Sequence, residues 1–267
     1  MLTQLALYLL LGALTGVLAG LFGVGGGVII VPSLIVMFTA QGVPPDVLTH
    51  LAIGSSLATI SFTSLSSVRA HHRRGAVRWP FVLRLAPGVC VGVWSGAAIA
   101  HHLSGASLQK GFAIFLVLIA TQMLLQKMPR ESANVAERLP SLPLTGCAGM
   151  VIGLLSAFFG IGGGSLTVPF LSWRGLRMQQ AVASAAAVGF PIAVAGACGF
   201  VWQGWGIPAL PMGSTGFIYW PAVVGIAVAS VPLAGTGARL AHAFPAAQLK
   251  RVFALFLIVI GVYFLLR

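Results

Sequence analysis

Ten apolar segments follow one another along the chain, separated by short polar or glycine-rich breaks. They lie at about residues 4–22, 28–40, 47–68, 79–100 and 107–126, then 141–159, 165–173, 178–201, 216–238 and 249–266. Most approach the roughly 20 residues that a helix needs to cross a ~30 Å hydrocarbon core. No charged residue occurs from Met1 to Pro45. The pattern predicts an all-α polytopic membrane protein.

Composition points the same way. Asp, Glu, Lys and Arg make up 7% of the 267 residues, where an ordinary soluble domain has roughly 25%. A mean hydropathy of +1.01 leaves too little polar surface to cover a water-exposed globule. Fifteen basic residues against three acidic ones give a net charge of +12. In a soluble chain that balance would point to nucleic acid. Here the basic residues fall between apolar segments, the pattern that orients helices in a bilayer, and nucleic acid is not expected as a partner. Cys90, Cys147 and Cys198 lie in apolar runs without metal-ligand spacing and read as packed thiols. No metal and no cofactor is predicted. The opening MLTQLALYLLLGALTG lacks a basic n-region, so a cleaved signal peptide is not expected.

The chain is written twice. Residues 16–32 read GVLAGLFGVGGGVIIVP and residues 153–169 read GLLSAFFGIGGGSLTVP, identical at nine of seventeen positions at an offset of 137. Small-residue stretches follow in both halves, LAIGSSLA from Leu51 and QAVASAAA from Gln180, and bring Ser55 over Ser184. Later, Trp79-Pro80 matches Trp220-Pro221 at an offset of 141. Order is kept throughout, as a duplication requires. The polar stretch KMPRESANVAERLP falls between the copies. The expected organisation is a first transmembrane repeat over 1–126, a cytoplasmic linker over 127–140 and a second repeat over 141–267.

Charge counting decides how the halves face. If each Gly run sits inside one spanning helix, eight Lys and Arg lie on one side and six on the other. If each Gly run turns the chain back, twelve share one face, among them Arg69, Arg73, Arg74, Arg78, Arg174, Arg177 and Arg239. Only Lys110 and Arg267 remain opposite, and Arg84 lies within a segment. Twelve against two is what the positive-inside rule predicts. The expectation is two inverted-topology repeats of about five segments each, helices broken at Gly-rich turns, and both termini on the non-cytoplasmic side. The short second segment of each half is either a crossing or a re-entrant piece covered by protein or a water-filled cavity.

The Gly runs Gly23–Gly27 and Gly160–Gly164 are costly inside a helix, at about 1 kcal/mol per Gly relative to Ala. A helix restarting after each would leave backbone N–H groups unpaired and carry a partial positive charge, both of which favour an anion. Two such ends brought together make a central anion site; close packing of small residues between helices is the alternative. The candidate substrate-binding residues are Gly25, Gly26, Gly27, Gly162, Gly163, Gly164 and Ser165. Ser55, Ser56 and Ser184 are added as hydroxyl donors, although such hydroxyls equally bond helix carbonyls. Pro32, Pro169 and Pro191 are candidates for breaking or gating helices. His50, beside the Ser-rich stretch, is the candidate pH-sensitive group. The Gly runs lack the third Gly of a dinucleotide fingerprint and the Gly-Lys-Ser/Thr of a P-loop. No carboxylate falls inside a segment, which disfavours a carboxylate proton relay or sodium site. Nor is there a nucleophile constellation for a membrane-embedded enzyme, and no enzymatic activity is expected.

The blocks GLFGVGGGVIIVP and AFFGIGGGSLTVP, each followed by a small-residue helix, resemble the TauE/SafE family of bacterial membrane transporters, commonly labelled sulfite exporters. The resemblance covers nearly the whole chain. It implies a multi-pass inner-membrane transporter of small sulfur-containing anions such as sulfite, organosulfonates or thiosulfate. It also points to the Gly runs, Pro32, Pro169 and the small-residue helices. The expected partners are a small anionic substrate and the lipid bilayer, with a homodimer left open. Two alternatives to alternating access by a carrier are an anion channel of the same architecture and a permease for another small organic anion.

Overall fold

A computed structural model describes residues 2–22, 26–125, 141–240 and 246–266. Ten helices follow in order: α1 (Leu2–Phe22), α2 (Gly27–Ala40), α3 (Pro45–Arg73), α4 (Trp79–His101), α5 (Gly105–Leu125), α6 (Leu142–Phe159), α7 (Gly164–Trp173), α8 (Met178–Gln203), α9 (Trp220–Leu240) and α10 (Ala246–Leu265). Among the described residues, five are long and apolar enough to cross a membrane, α3 the longest at 29 residues. Each sits on one of the apolar segments. The linker residues 127–140 lie outside the described residues.

The second segment of each half does not reach across a bilayer. At 14 and 10 residues, α2 and α7 span only about 21 and 15 Å. Helix α2 is packed inside protein, with Val28, Ile30, Leu34 and Phe38 nearly inaccessible. Helix α7 is covered along one side, with Gly164, Thr167 and Leu171 buried and Trp173 exposed. Such coverage is what lets a half-length helix sit at membrane depth.

Helix direction follows from which residues face each other. Tyr8, early in α1, is hydrogen-bonded to Gln41 at the far end of α2 (Gln41 Nε2 to Tyr8 Oη, 2.8 Å), while Gly26 returns beside Ala19. The chain therefore doubles back between α1 and α2. Gly12 and Gly16 of α1 meet Ile226 and Ser230 of α9 in the same order, so these helices are parallel. Gly88, Gly92 and Gly96 of α4 meet Gly146, Met150 and Leu154 of α6, again in parallel. Helices α3 and α8 run antiparallel. Gly54 meets Phe200 and Leu57 meets Gly196, while Ser184, early in α8, is bonded by the Arg78 backbone just past α3. Arg73, Arg74 and Arg78 consequently share one end of the molecule with Arg174 and Arg177, hereafter the arginine face. Lys110 lies at the other end.

Glycines set the α4–α6 spacing. A Cβ on Gly92 would lie 2.8 Å from the Cα of Met150, closer than real Cβ contacts, whereas one on Gly146 meets nothing within 4 Å. Gly92→Ala is therefore expected to lower the thermal midpoint, by about 1–3 kcal/mol of stability. Gly146→Ala should raise it slightly, by roughly 0.5–1 kcal/mol. A thermal unfolding series on the two purified variants checks the pair.

Two expectations need correction. Residues 216–219 do not begin a helix: Ser214–Thr215 (β1) and Ile218–Tyr219 (β2) form a small antiparallel hairpin, and α9 starts only at Trp220. Gly213 and Gly216 hold positive φ there, which a helix does not accommodate. Nor do the prolines break helices: α2, α7 and α8 run on through Pro32, Pro169 and Pro191. Proline removes one N–H and frees one carbonyl, and neighbouring helices pack around the site of loss.

Candidate functional site

The helix breaks occur at glycines in the left-handed region. Gly26 (φ 78°) precedes α2, Gly163 (φ 75°) precedes α7, and Gly160 (φ 62°) ends α6. An L side chain there costs roughly 1–2 kcal/mol. Gly26 and Gly163 occupy matching places in the two copies. Neither side-chain cap nor acidic first-turn residue answers the N–H groups at the start of α2 or α7. In both helices these donors lack intrahelical acceptors.

The two turns meet. Gly27 packs directly on the Gly160 carbonyl and on Ile161, and Ile60 of α3 lies against both Gly27 and Gly162. The Ser56 hydroxyl donates to the Gly160 carbonyl at 2.8 Å, tying α3 to the second turn. Two helix N-termini are thus held together in the interior, though far apart in sequence.

Beside this junction lies a cavity of about 420 Å³, within the ~300–1,000 Å³ typical of small-molecule sites. Gly26, Gly162 and Gly164 form its floor. One face of α3 forms a wall, with Ile60, Thr63, Ser64, Ser67, His71 and Arg74 in turn. Thr15 and Gly16 of α1, Ala185 and Gly189 of α8, and Ser230 of α9 complete it. Its charged lining is basic, and among the described residues no acidic one borders it. Toward the arginine face it ends at His71 and Arg74. Hydroxyls, first-turn N–H groups and one guanidinium in an otherwise apolar hollow suit a small oxyanion.

The structure brings together part of the set singled out from sequence. Gly26, Gly27, Gly162, Gly163 and Gly164 gather at the junction, and Gly25 lies outside the described residues. Ser165 stands in the first turn of α7 with its buried Oγ unpartnered. Ser55 and Ser184 lie away from the cavity. Their hydroxyls accept the backbone N–H groups of Tyr219 and Arg78, each at 2.9 Å, across the two halves. These are matching bonds, each to the residue before a Trp-Pro pair. His50 is buried near the other end of α3, its Nε2 2.9 Å from the Ala100 carbonyl and its ring 5.2 Å from that of Phe217. It is about 15 Å along the helix from Ile60, the first cavity residue of α3.

Sequence reading undervalued the second half of α3. Ile60, Thr63, Ser64, Ser67, His71 and Arg74 recur at spacings of three and four, the mark of one helix face. That stripe was the available signal for the cavity wall.

The chain matches the family described as Sulfite exporter TauE/SafE over residues 8–264. It is 39% identical to a probable membrane transporter protein of Haemophilus influenzae, over 267 residues and the full length of both chains. It is 29% identical to a probable membrane transporter protein of Xylella fastidiosa over 262 residues, covering 96% of this chain and 93% of the relative. Against the probable membrane transporter protein YunE of Bacillus subtilis it is 33% identical over 174 residues, 60% of this chain and 64% of that one. No solved structure matches the chain.

Proposed function

The chain belongs to the sulfite exporter TauE/SafE family of membrane transporters, and from that premise we propose that it carries a small sulfur-containing anion across the bacterial inner membrane by alternating access. Sulfite, organosulfonates and thiosulfate are the substrate class. The observation that carries this reading is the cavity beside the paired helix starts, lined by Arg74, His71 and hydroxyl side chains and, among the described residues, by no carboxylate. The first N–H groups of α2 and α7 and the Arg74 guanidinium are the donors an anion meets there. The hydroxyls of Thr15, Thr63, Ser64 and Ser230 donate to carbonyls of their own helices and turn to the anion only by giving up those bonds.

The halves act as two inverted repeats that rock about the glycine junction. The antiparallel course of α3 and α8, which match in the duplication, supports that reading. By the positive-inside rule the arginine face is cytoplasmic, so this conformation receives substrate from inside the cell. A negative-inside potential favours anion exit by ~2.3 kcal/mol per charge per 100 mV. The lack of a membrane carboxylate fits a carrier driven by the anion gradient and that potential.

Purified protein in liposomes tests the proposal. Flux of radiolabelled sulfite, thiosulfate or taurine should rise over empty vesicles, saturate with concentration and respond to an imposed potential. Vesicles as tight to all three as protein-free controls contradict the substrate class; flux that shows no saturation contradicts the carrier.

A further inference from the structure

The two copies are matched in sequence but not in packing. Around Gly26 a Cβ would find only ordinary contacts, at 3.6 Å or more, and the glycine borders the cavity. Around its counterpart Gly163 the space is taken by the Ile192 side chain. Ile192 corresponds to Thr63, at the offset of 129 that aligns Ser184 with Ser55. The reciprocal bonds of those two serines bear that alignment out. Thr63 lines the cavity, while Ile192 is wholly buried.

The same contrast continues along both helices. His71 stands at the cavity mouth, and its counterpart Phe200 is 1% exposed. Phe200 lies edge-on to Phe217, ring centroids 6.3 Å apart, and its carbonyl accepts the Phe217 N–H at 3.1 Å. Phe217 belongs to the hairpin that lies over the end opposite the arginine face. Two hydroxyls of this half have no hydrogen-bond partner among the described residues. Ser156 matches the cavity residue Ala19 and Thr167 matches the cavity residue Ile30; both are fully buried. Thr167 Oγ1 lies against the Gly163 turn, 3.4 Å from where a Cβ would stand. A buried hydroxyl left without a partner weakens a fold.

We propose that Ser156, Gly163 and Thr167 line a second half-path for the same small oxyanion, leading to the face opposite Arg74 and closed in this structure by Ile192 and the Phe200–Phe217 pair. The hydroxyls of Ser156 and Thr167 and the first N–H groups of α7 are its donors. Opening it requires Ile192 of α8 to withdraw from Gly163, as Thr63 of α3 already leaves Gly26 open to the cavity. Thr63 and Ile192 are then equivalent gate positions in opposite states. The proposal rests on the alternating-access reading and names its outer half.

The test is thiol accessibility in proteoliposomes, with Cys90, Cys147 and Cys198 replaced by serine and Ser156→Cys introduced. The probe is a charged, membrane-impermeant methanethiosulfonate applied to one face at a time, with Thr63→Cys as the control for the arginine face. Ile192→Thr, which installs the residue of the matching position, is expected to speed Ser156→Cys modification at least tenfold from the face opposite Arg74 alone. Ile192→Ala should do the same and stands in if the threonine variant folds poorly. Equal rates with and without the Ile192 change, or modification only from the arginine face, overturn the proposal. Anion flux is measured in the same vesicles. Flux without Ser156→Cys accessibility sinks the half-path but spares the transport reading; accessibility without flux of any sulfur anion does the reverse.

Discussion

Gly26→Leu is expected to yield a folded protein whose anion flux in liposomes falls roughly 100-fold, the equivalent of about 2.7 kcal/mol of lost interaction. Two quantities decide this outcome. The left-handed backbone at Gly26 costs an L residue roughly 1–2 kcal/mol, which a fold of ~5–15 kcal/mol survives. Among the described residues, the atoms nearest a Cβ there belong to Ile30, Ala19 and the Thr15 carbonyl, none closer than 3.6 Å. The rest of the leucine then occupies the cavity beside the first N–H groups of α2, where the anion is to sit. Gly163→Leu has the same backbone cost but drives its side chain into Ile192. It should lose flux and thermal stability together, and comparing the two variants separates blocking from unfolding.

Gly27→Ala should act through the junction itself. Its methyl group would lie against the Gly160 carbonyl, 2.8 Å from Ile60 Cδ1 and 3.0 Å from the Cα of Ile161. The side chain of Ile60 can turn aside, but backbone on the opposing turn cannot. The α1–α2 and α6–α7 turns must separate, and the Ser56 bond to Gly160 lengthens with them. Overpacking of this kind costs about 1–3 kcal/mol, and a backbone neighbour places it at the upper end. The expected fall in thermal midpoint is roughly 6–12 °C, with flux lost as well. Unfolding curves and flux on one preparation check both.

Much of the architecture was legible before any coordinates. Apolar runs bounded by Gly, Pro and charge place a helix well, because each helix must bury or immerse its own length and its ends need polar or flexible residues. The glycine turns were legible too, since four glycines within five residues of a membrane segment are expensive unless they end a helix. Charge counting predicts that Arg74 and Arg177 share one face, and in the fold they lie at one end.

What could not be read were the contacts between halves. Ser55 and Ser184 look like free donors in sequence; only the fold brings Tyr219 and Arg78 N–H groups onto them. The prolines read as breaks because a lone helix suffers from them, yet α2 and α7 continue through Pro32 and Pro169, α2 enclosed by neighbours and α7 held along one side by α8. The hairpin at 214–219 hid inside an apolar run whose aromatic residues fit a helix or a strand equally well. The α3 stripe to Arg74 was visible as a spacing, but nothing local tells a cavity wall from a packed face.

The central claim is that two glycine turns jointly hold an anion at the floor of the cavity. Equilibrium binding of radiolabelled sulfite, thiosulfate and taurine to purified protein measures it most directly, comparing the parent chain with Gly26→Leu. Saturable binding of at least one of these anions, near one per chain and absent from Gly26→Leu, is the predicted result. Binding of equal affinity in the two proteins, or none of the three anions bound by the parent chain, contradicts it.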